Sequence, residues 1–134
     1  MTAHVLIKLG WPSERLNPNK ALGRGWKWSR DARAAAKQEG AVEARLMGAN
    51  NLKGDKFRLE VTGYLGPRMR GWDDDNLIAA LKHHRDGIAQ TMGVDDKCFR
   101  TVFMGYERAE KARVLIEVIP ELAVVEIPFH GQVT

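Results

Sequence analysis

Residues 71–97 read GWDDDNLIAALKHHRDGIAQTMGVDDK and contain the pattern around which the chain is organised. One helical stripe recurs there at steps of three and four residues: Leu77, Leu81, His84, Ile88 and Met92. Asp75 or Asn76 can cap the first turn, and Gly93 suits the left-handed residue after the last turn. The stretch therefore predicts one amphipathic helix, and Gly87 is a place where it can kink.

Segments of alternating apolar and polar residues around this helix predict four strands: 3–9, 56–64, 99–106 and 112–118. The alanine-rich segment from Ser29 to about Gly48 predicts a second helix, and 107–111 is interpreted as a hairpin turn. This order predicts a single α+β domain over residues 1–134. It has two layers, a mixed four-stranded sheet with two helices on one face. Residues 121–134 are expected to form an edge strand or an arm.

The composition is ordinary for a soluble globular chain, with a net charge of +4 and 28% charged residues. No apolar run approaches the roughly 20 residues that cross a membrane, and residues 1–10 lack the features of a signal peptide. The single cysteine, Cys98, excludes an intramolecular disulfide framework. We therefore expect a cytoplasmic protein that does not bind membranes.

Basic residues are concentrated in two places that suit a polyanionic partner. In the first, a single acid, Asp31, opposes six cations: Lys20, Arg24, Lys27, Arg30, Arg33 and Lys37. The second consists of Arg68 and Arg70, just before the acidic run. Such clusters favour contact with nucleic-acid phosphates, although a solvated surface has a similar composition.

Two tryptophans, Trp26 and Trp28, flank Lys27 at the end of a predicted surface loop over 13–25. Aromatic rings interleaved with cations can stack on unpaired bases. The interpretation we favour is that both rings pack onto the core, because tryptophan contributes a large apolar area when buried.

Carboxylates stand at both ends of the predicted central helix: Asp73, Asp74 and Asp75 before it, Asp95 and Asp96 after it. Alternate residues of an extended segment point the same way, so the first and third of these acids can converge. If the fold adds the second pair, three or four oxygen ligands meet, which suits Mg²⁺ or Mn²⁺ rather than zinc. Solvated helix caps are the competing interpretation. An EF-hand fits the sequence less well, because Ile78 occupies the position of its required glycine.

The same stretch resembles the active-site region of the RusA family of Holliday-junction resolvases. The similar residues are DDDNL at 73–77, Lys82, DGIA at 86–89 and GVDD at 93–96. They correspond to the family's Asp-x-Asp-Asn motif, its lysine-bearing helix and its glycine-led acidic motif. The segment WPSERLNPN, residues 11–19, is a loose version of the family's proline-rich segment after the first strand.

The resemblance implies a homodimeric, Mg²⁺-dependent endonuclease, with Mn²⁺ as a substitute, that resolves four-way DNA junctions in recombination and repair. It assigns catalysis and metal binding to three aspartates, with Asp95 as a neighbour that shares the metal: Asp73, Asp75 and Asp96. Lys82 matches the family's catalytic lysine if about one helical turn is inserted, whereas Ala79 holds the family's usual spacing.

The expected DNA-backbone contacts are the nearby cations: Arg68, Arg70, Lys20, Arg24, Lys27 and Arg30. The alternative function is a protein of the same fold that binds branched DNA without cutting it. His84 lies in the apolar stripe and is expected to be a core or interface residue. Neither His84 nor its neighbour His83 is expected to be catalytic.

Overall fold

A computed structural model describes residues 4–121. Within this range the chain forms four strands and four α-helices: β1 Val5–Gly10, α1 Pro18–Ala21, α2 Arg30–Leu46, β2 Lys56–Leu65, α3 Asp74–Ala80, α4 Lys82–Met92, β3 Phe99–Arg108 and β4 Arg113–Glu121. The strands and long helices follow the predicted order. Residues 122–134, predicted as an edge strand or arm, lie outside the described range.

The four strands form one mixed sheet in the order β1-β4-β2-β3. β4 pairs antiparallel with both β1 and β2, whereas β2 and β3 are parallel. Parallel neighbours need a crossover, and α3 and α4 supply it. The α+β class and the mixed four-stranded sheet with helices packed against it are therefore as predicted.

The hairpin predicted at 107–111 is wrong, because β2 lies between β3 and β4 in the sheet. The chain instead passes over the end of β2, where the backbone N–H of Ala109 donates to the carbonyl of Leu65 at 2.8 Å. Local sequence predicts a short connection, but it does not reveal that an earlier strand has already taken the intervening place.

The core lies between the helices and one face of the sheet. Alternate residues of three strands are buried there: Ile7 and Leu9 in β1, Phe57, Leu59 and Val61 in β2, and Val114, Ile116 and Val118 in β4. The central helices add their predicted stripe, with Leu77, Leu81, His84 and Ile88 all buried. Burial of one side of each strand leaves the opposite face of the sheet partly open to solvent.

The helices α2 and α4 cross at two glycines. A Cβ atom on Gly40 would lie 2.2 Å from the carbonyl oxygen of His84, and one on Gly87 would lie 2.0 Å from that of Lys37. Both glycines are buried inside regular helices. The kink allowed at Gly87 does not form there. The helix breaks instead at Leu81, between α3 and α4.

The buried His84 confirms the prediction of a core histidine. Its Nε2 donates to Oε1 of Glu39 at 3.1 Å, and Oε2 of Glu39 accepts from the N–H of Gly10 at 2.8 Å. The bond with His84 is the main reason that the pKa of Glu39 lies below its ordinary value. These contacts tie α2 to both β1 and α4. No helix within residues 4–121 is both long and apolar enough to cross a bilayer.

Candidate functional site

The first acidic group lies at the start of α3. This helix begins at Asp74 with Asp73 at the N-cap position, so the predicted cap at Asp75 or Asn76 is wrong. Asp73 makes no capping hydrogen bond with its side chain. The three consecutive aspartates are all exposed. Their carboxylates therefore keep their oxygens available, and they lie where the helix dipole favours negative charge.

An aromatic cluster anchors this acidic segment to the end of the sheet. The hydroxyl of Tyr106 donates to the carbonyl oxygen of Trp72 at 2.6 Å. The rings of Trp11 and Trp72 meet edge to face, with centroids 5.3 Å apart. Gly63 and Gly71 lie so close to the Tyr106 ring that a Cβ atom on either would be 2.6 Å from it. The residue before Asp73 is therefore held in place by packing as well as by a hydrogen bond.

The acids at the start of α3 also affect the pKa of Tyr106. Burial is the main cause that raises its pKa, and the negative charges of Asp74 and Asp73 add to the effect. The sequence predicts Tyr106 only as part of a strand. The signal that could have identified it is the pair of glycines, Gly63 and Gly71, since a glycine often marks close approach of another group.

The second acidic group forms a cap before β3. The carboxylate of Asp95 accepts from the backbone N–H of Lys97 at 2.9 Å, at the start of a 3-10 turn over Asp96–Cys98. This hydrogen bond is the main cause that lowers the pKa of Asp95, and a hydrogen bond with Asp96 adds to it. Both aspartates are exposed. Asp95 thus has the capping role that the competing interpretation offered, whereas Asp96 follows the cap.

The two acidic groups lie at opposite ends of β3. Asp73 lies close enough to affect Tyr106 near the end of this strand, whereas Asp96 comes three residues before Phe99, where the strand begins. The strand between those points spans roughly 20 Å at about 3.3 Å per residue. Within residues 4–121, no three His, Cys, Asp or Glu side chains are placed to hold a metal ion together. Convergence of Asp73, Asp75 and Asp96 on one metal ion therefore stays a prediction.

Arg85 occupies the space between the helices and β3. Its guanidinium donates to the carbonyl of Ile78 at 3.2 Å and to the hydroxyl of Thr101 at 3.3 Å. Burial lowers its pKa, while the charges of Asp86 and Asp96 oppose that shift. Sequence reasoning missed Arg85. It lies four residues after Leu81 and therefore beside the apolar stripe, which was the available signal.

Lys82 opens α4 and is exposed. Its Nζ lies 3.2 Å from Oδ2 of Asp86, one turn further along the helix. Ala79, the competing position for the family lysine, lies on α3 and is also exposed. Because the helix breaks at Leu81, the two positions belong to different helices rather than to one continuous face.

Two basic residues precede the start of α3 in the chain, and a third lies on a helix that contacts α3. Arg68 and Arg70 are exposed in the loop that leads into it, and Arg68 adopts a left-handed backbone conformation with φ of 62°. Helix α1, which carries Lys20, contacts α3. The other predicted DNA contacts are exposed as well: Arg24, Lys27 and Arg30. Of the predicted cations, Arg68 and Arg70 therefore adjoin the first acidic group along the chain, and Lys20 lies on a helix that contacts α3.

The prediction that both tryptophans pack onto the core is wrong. Trp26 is 62% exposed and Trp28 is half-buried, and neither belongs to the set of side chains packed on the core of residues 4–121. Guanidinium groups surround them instead. Arg15 and Arg24 lie 5.2 and 4.7 Å from the Trp28 ring centroid. Cation–π contact partly replaces the burial that apolar packing would give.

Comparison with known proteins identifies a related chain but no activity. No protein-family model matches the sequence. An uncharacterized protein of Xylella fastidiosa (strain Temecula1 / ATCC 700964) is 35% identical over 98 residues. The match covers 69% of this chain and 61% of that relative, so the chain spans less than two thirds of the relative's length. These comparisons therefore assign no activity to the chain.

Proposed function

We propose that this chain is a metal-dependent endodeoxyribonuclease of the RusA type that cuts four-way DNA junctions as a homodimer. The observation that carries the proposal is the contact of α1 with α3, which puts Lys20 on the same region of surface as three exposed aspartates. Arg68 and Arg70 precede those aspartates in the connecting loop. A nuclease needs this combination, because cations must hold a phosphate backbone against carboxylates that would otherwise repel it.

The proposed metal site is shared between two subunits. Within residues 4–121 of one chain, no three acidic side chains are grouped to hold a metal ion. A twofold axis can place the start of α3 of one copy beside the start of β3 of the other. In such a symmetric contact, each of two different positions on one copy meets the other position on the second copy. We therefore assign each site to Asp73 and Asp75 of one protomer together with Asp96 of the partner subunit.

The remaining roles follow from the chain's own residues. Bound Mg²⁺ supplies an ionised water and neutralises charge at the scissile phosphate. Arg68 and Arg70 hold the DNA backbone. Lys82 contacts the phosphate. To do so, its ammonium group must leave the carboxylate of Asp86 and bind the DNA instead. That pair is exposed and contributes little to stability, so the exchange costs little.

Mixing two inactive variants tests the shared site. Asp75→Asn and Asp96→Asn should each abolish nicking of a labelled four-way junction in Mg²⁺ while both proteins still bind it. When the two are mixed and exchange subunits, each heterodimer has one doubly altered site and one intact site. Nicking should return to roughly a quarter of the wild-type level, because half of the dimers keep one of two sites.

One control variant and two contrary outcomes test the shared site and the nuclease activity. Asp55→Asn changes an exposed acid outside both groups and should nick normally. A mixture as inactive as its parents, although both dimerise, rejects the shared site. Wild-type protein that binds the junction but never cuts it, with Mg²⁺ or Mn²⁺ present, rejects the nuclease.

A non-cleaving protein that binds branched DNA is the second candidate. Two observations favour it: no three-acid cluster within residues 4–121 of one chain, and a Lys82 side chain already paired with Asp86. It predicts that Asp75→Asn tightens junction binding, since a negative charge near phosphate is lost, and that EDTA changes nothing.

A further inference from the structure

Trp26 presents an exposed indole on a basic surface. Its ring is 62% exposed, and the guanidinium carbons of Arg30 and Arg33 each lie 5.9 Å from its centroid. Both arginines come from the first turn of α2, directly after the 3-10 turn Trp26–Ser29 that carries the tryptophan. An aromatic ring of this size is normally buried or bound to a partner.

The segment around Trp26 is held rigid by arginine side chains. Nη2 of Arg33 donates to the carbonyl oxygen of Trp26 at 2.8 Å, and Nη1 of Arg15 donates to that of Trp28 at 2.8 Å. The Trp28 ring is covered by Arg15 and Arg24. The backbone that carries the exposed ring is therefore held in place before any ligand arrives, which reduces the entropy lost on binding.

The surroundings favour a polyanion with aromatic groups over a protein or a lipid. Asp31, which follows Arg30 in the chain, pairs with it at 3.6 Å. Lys27, Arg24 and Arg30 are exposed around it. A lipid surface would require a broad apolar helix face, whereas here a single indole stands among cations. Aromatic rings in a basic groove are how proteins bind unpaired bases.

We propose that Trp26 stacks on an unpaired DNA base while Arg30, Arg24 and Lys27 neutralise the phosphates beside it. The proposal rests on the DNA binding in the proposed function and adds to it a site for single-stranded DNA. In a branched substrate, unpaired bases occur where strands exchange. Along the chain, the segment follows α1, which contacts α3.

The test compares a fluorescently labelled oligothymidylate with a fully paired hairpin, using anisotropy over a range of salt concentrations. Trp26→Ala should bind the oligothymidylate about 5- to 150-fold more weakly, the usual loss for one stacked base. It should bind the paired hairpin within about twofold of wild type, with an unchanged salt slope, because no phosphate contact is lost. Trp26→Phe should restore most of the binding.

Matched variants separate stacking from charge. Leu22→Ala removes another exposed apolar side chain, 82% exposed in the preceding loop, and should leave oligothymidylate binding unchanged. Arg24→Gln should lower the salt slope by about 0.7 on single strands, the contribution of one phosphate contact.

Each contrary outcome has a distinct meaning. Equal oligothymidylate binding by wild type and Trp26→Ala overturns the stacking site, and normal junction nicking by that variant would leave the proposed function standing. An equal loss on paired and unpaired DNA also overturns it. Vesicles of anionic lipid that bind wild type but not Trp26→Ala, with no change on DNA, assign the ring to a membrane surface instead. Wild type that stacks on DNA yet never nicks junctions rejects the nuclease alone.

Discussion

Replacing Gly87 with alanine should destabilise the protein, although alanine is the better helix former. In an exposed helix this change would gain about 1 kcal/mol. Here the new Cβ atom would lie 2.0 Å from the carbonyl oxygen of Lys37 and 2.8 Å from the backbone nitrogen of Ala41. A carbon approaches a carbonyl oxygen no closer than about 3.3 Å. The α2 and α4 backbones must therefore separate by roughly 1 Å, since a backbone carbonyl cannot rotate away.

The cost of that separation exceeds the gain in helix propensity. A radial gap of 0.5 to about 1 Å forfeits a quarter to a half of the dispersion energy of each contact along the crossing. Overpacking of this kind costs about 1 to 3 kcal/mol, and the crossing includes the buried His84 with its bond to Glu39. We expect a net loss of about 2 kcal/mol, which lowers the Tm by roughly 5 to 10 °C for a domain of this size.

Urea denaturation followed by circular dichroism measures the loss directly. Gly25→Ala is the matched control, because a Cβ atom there meets nothing within 4 Å. That control should be neutral or slightly stabilising through its effect on the unfolded chain. If Gly87→Ala proves as stable as Gly25→Ala, the helices do not cross as closely as described, and the reasoning is refuted.

Two further predictions concern the hydrogen bonds that position the site. Tyr106→Phe removes the bond to Trp72 and should cost about 1 kcal/mol, with faster amide exchange at the start of α3. Tyr64→Phe, on the open face of the sheet, is the control, and equal exchange in both variants contradicts the anchoring role. Glu39→Gln should destabilise by about 1 kcal/mol at neutral pH. The folded pKa of Glu39 lies below its usual 4.5, so the stability that its charge contributes is present above that pH and is lost on acidification. The difference between wild type and Glu39→Gln should therefore shrink below pH 4.5, and a constant difference would show that the charge has no part.

Much of the fold could be predicted from sequence because its elements have strong local periodicity. Strand β2 alternates buried and half-buried residues along most of its length, and Gly93 caps the end of α4 in the left-handed conformation, as predicted. The connection after β3 could not be predicted in the same way. Whether it forms a hairpin depends on which strand occupies the neighbouring place, and that is decided by pairing between residues distant in the chain.

The site was less predictable, since sequence shows which groups are present but not which end of a strand they occupy. From the sequence alone, Asp95 and Asp96 can join the acids at 73–75 in one metal site. Parallel pairing of β2 with β3 sends the two groups to opposite ends of β3. The exposure of Trp26 was missed for a related reason. Burial of a tryptophan is the usual outcome, and only the structure shows that the Trp26 ring lies beside arginines and outside the core of the described residues.

The separation of the acids links the fold to the proposed chemistry. The parallel β2–β3 pair puts the end of β2 and the start of β3 at opposite ends of the sheet, because the crossover helices return the chain to the end where β2 begins. In a second copy related by a twofold axis, β3 can run in the opposite direction. The start of that strand can then lie beside the acids at the start of α3 in the first copy. If the acids are catalytic, dimerisation is then a requirement for activity. The nicking rate should accordingly fall with dilution below the dimer dissociation constant, whereas a site complete within one chain would keep a constant specific rate.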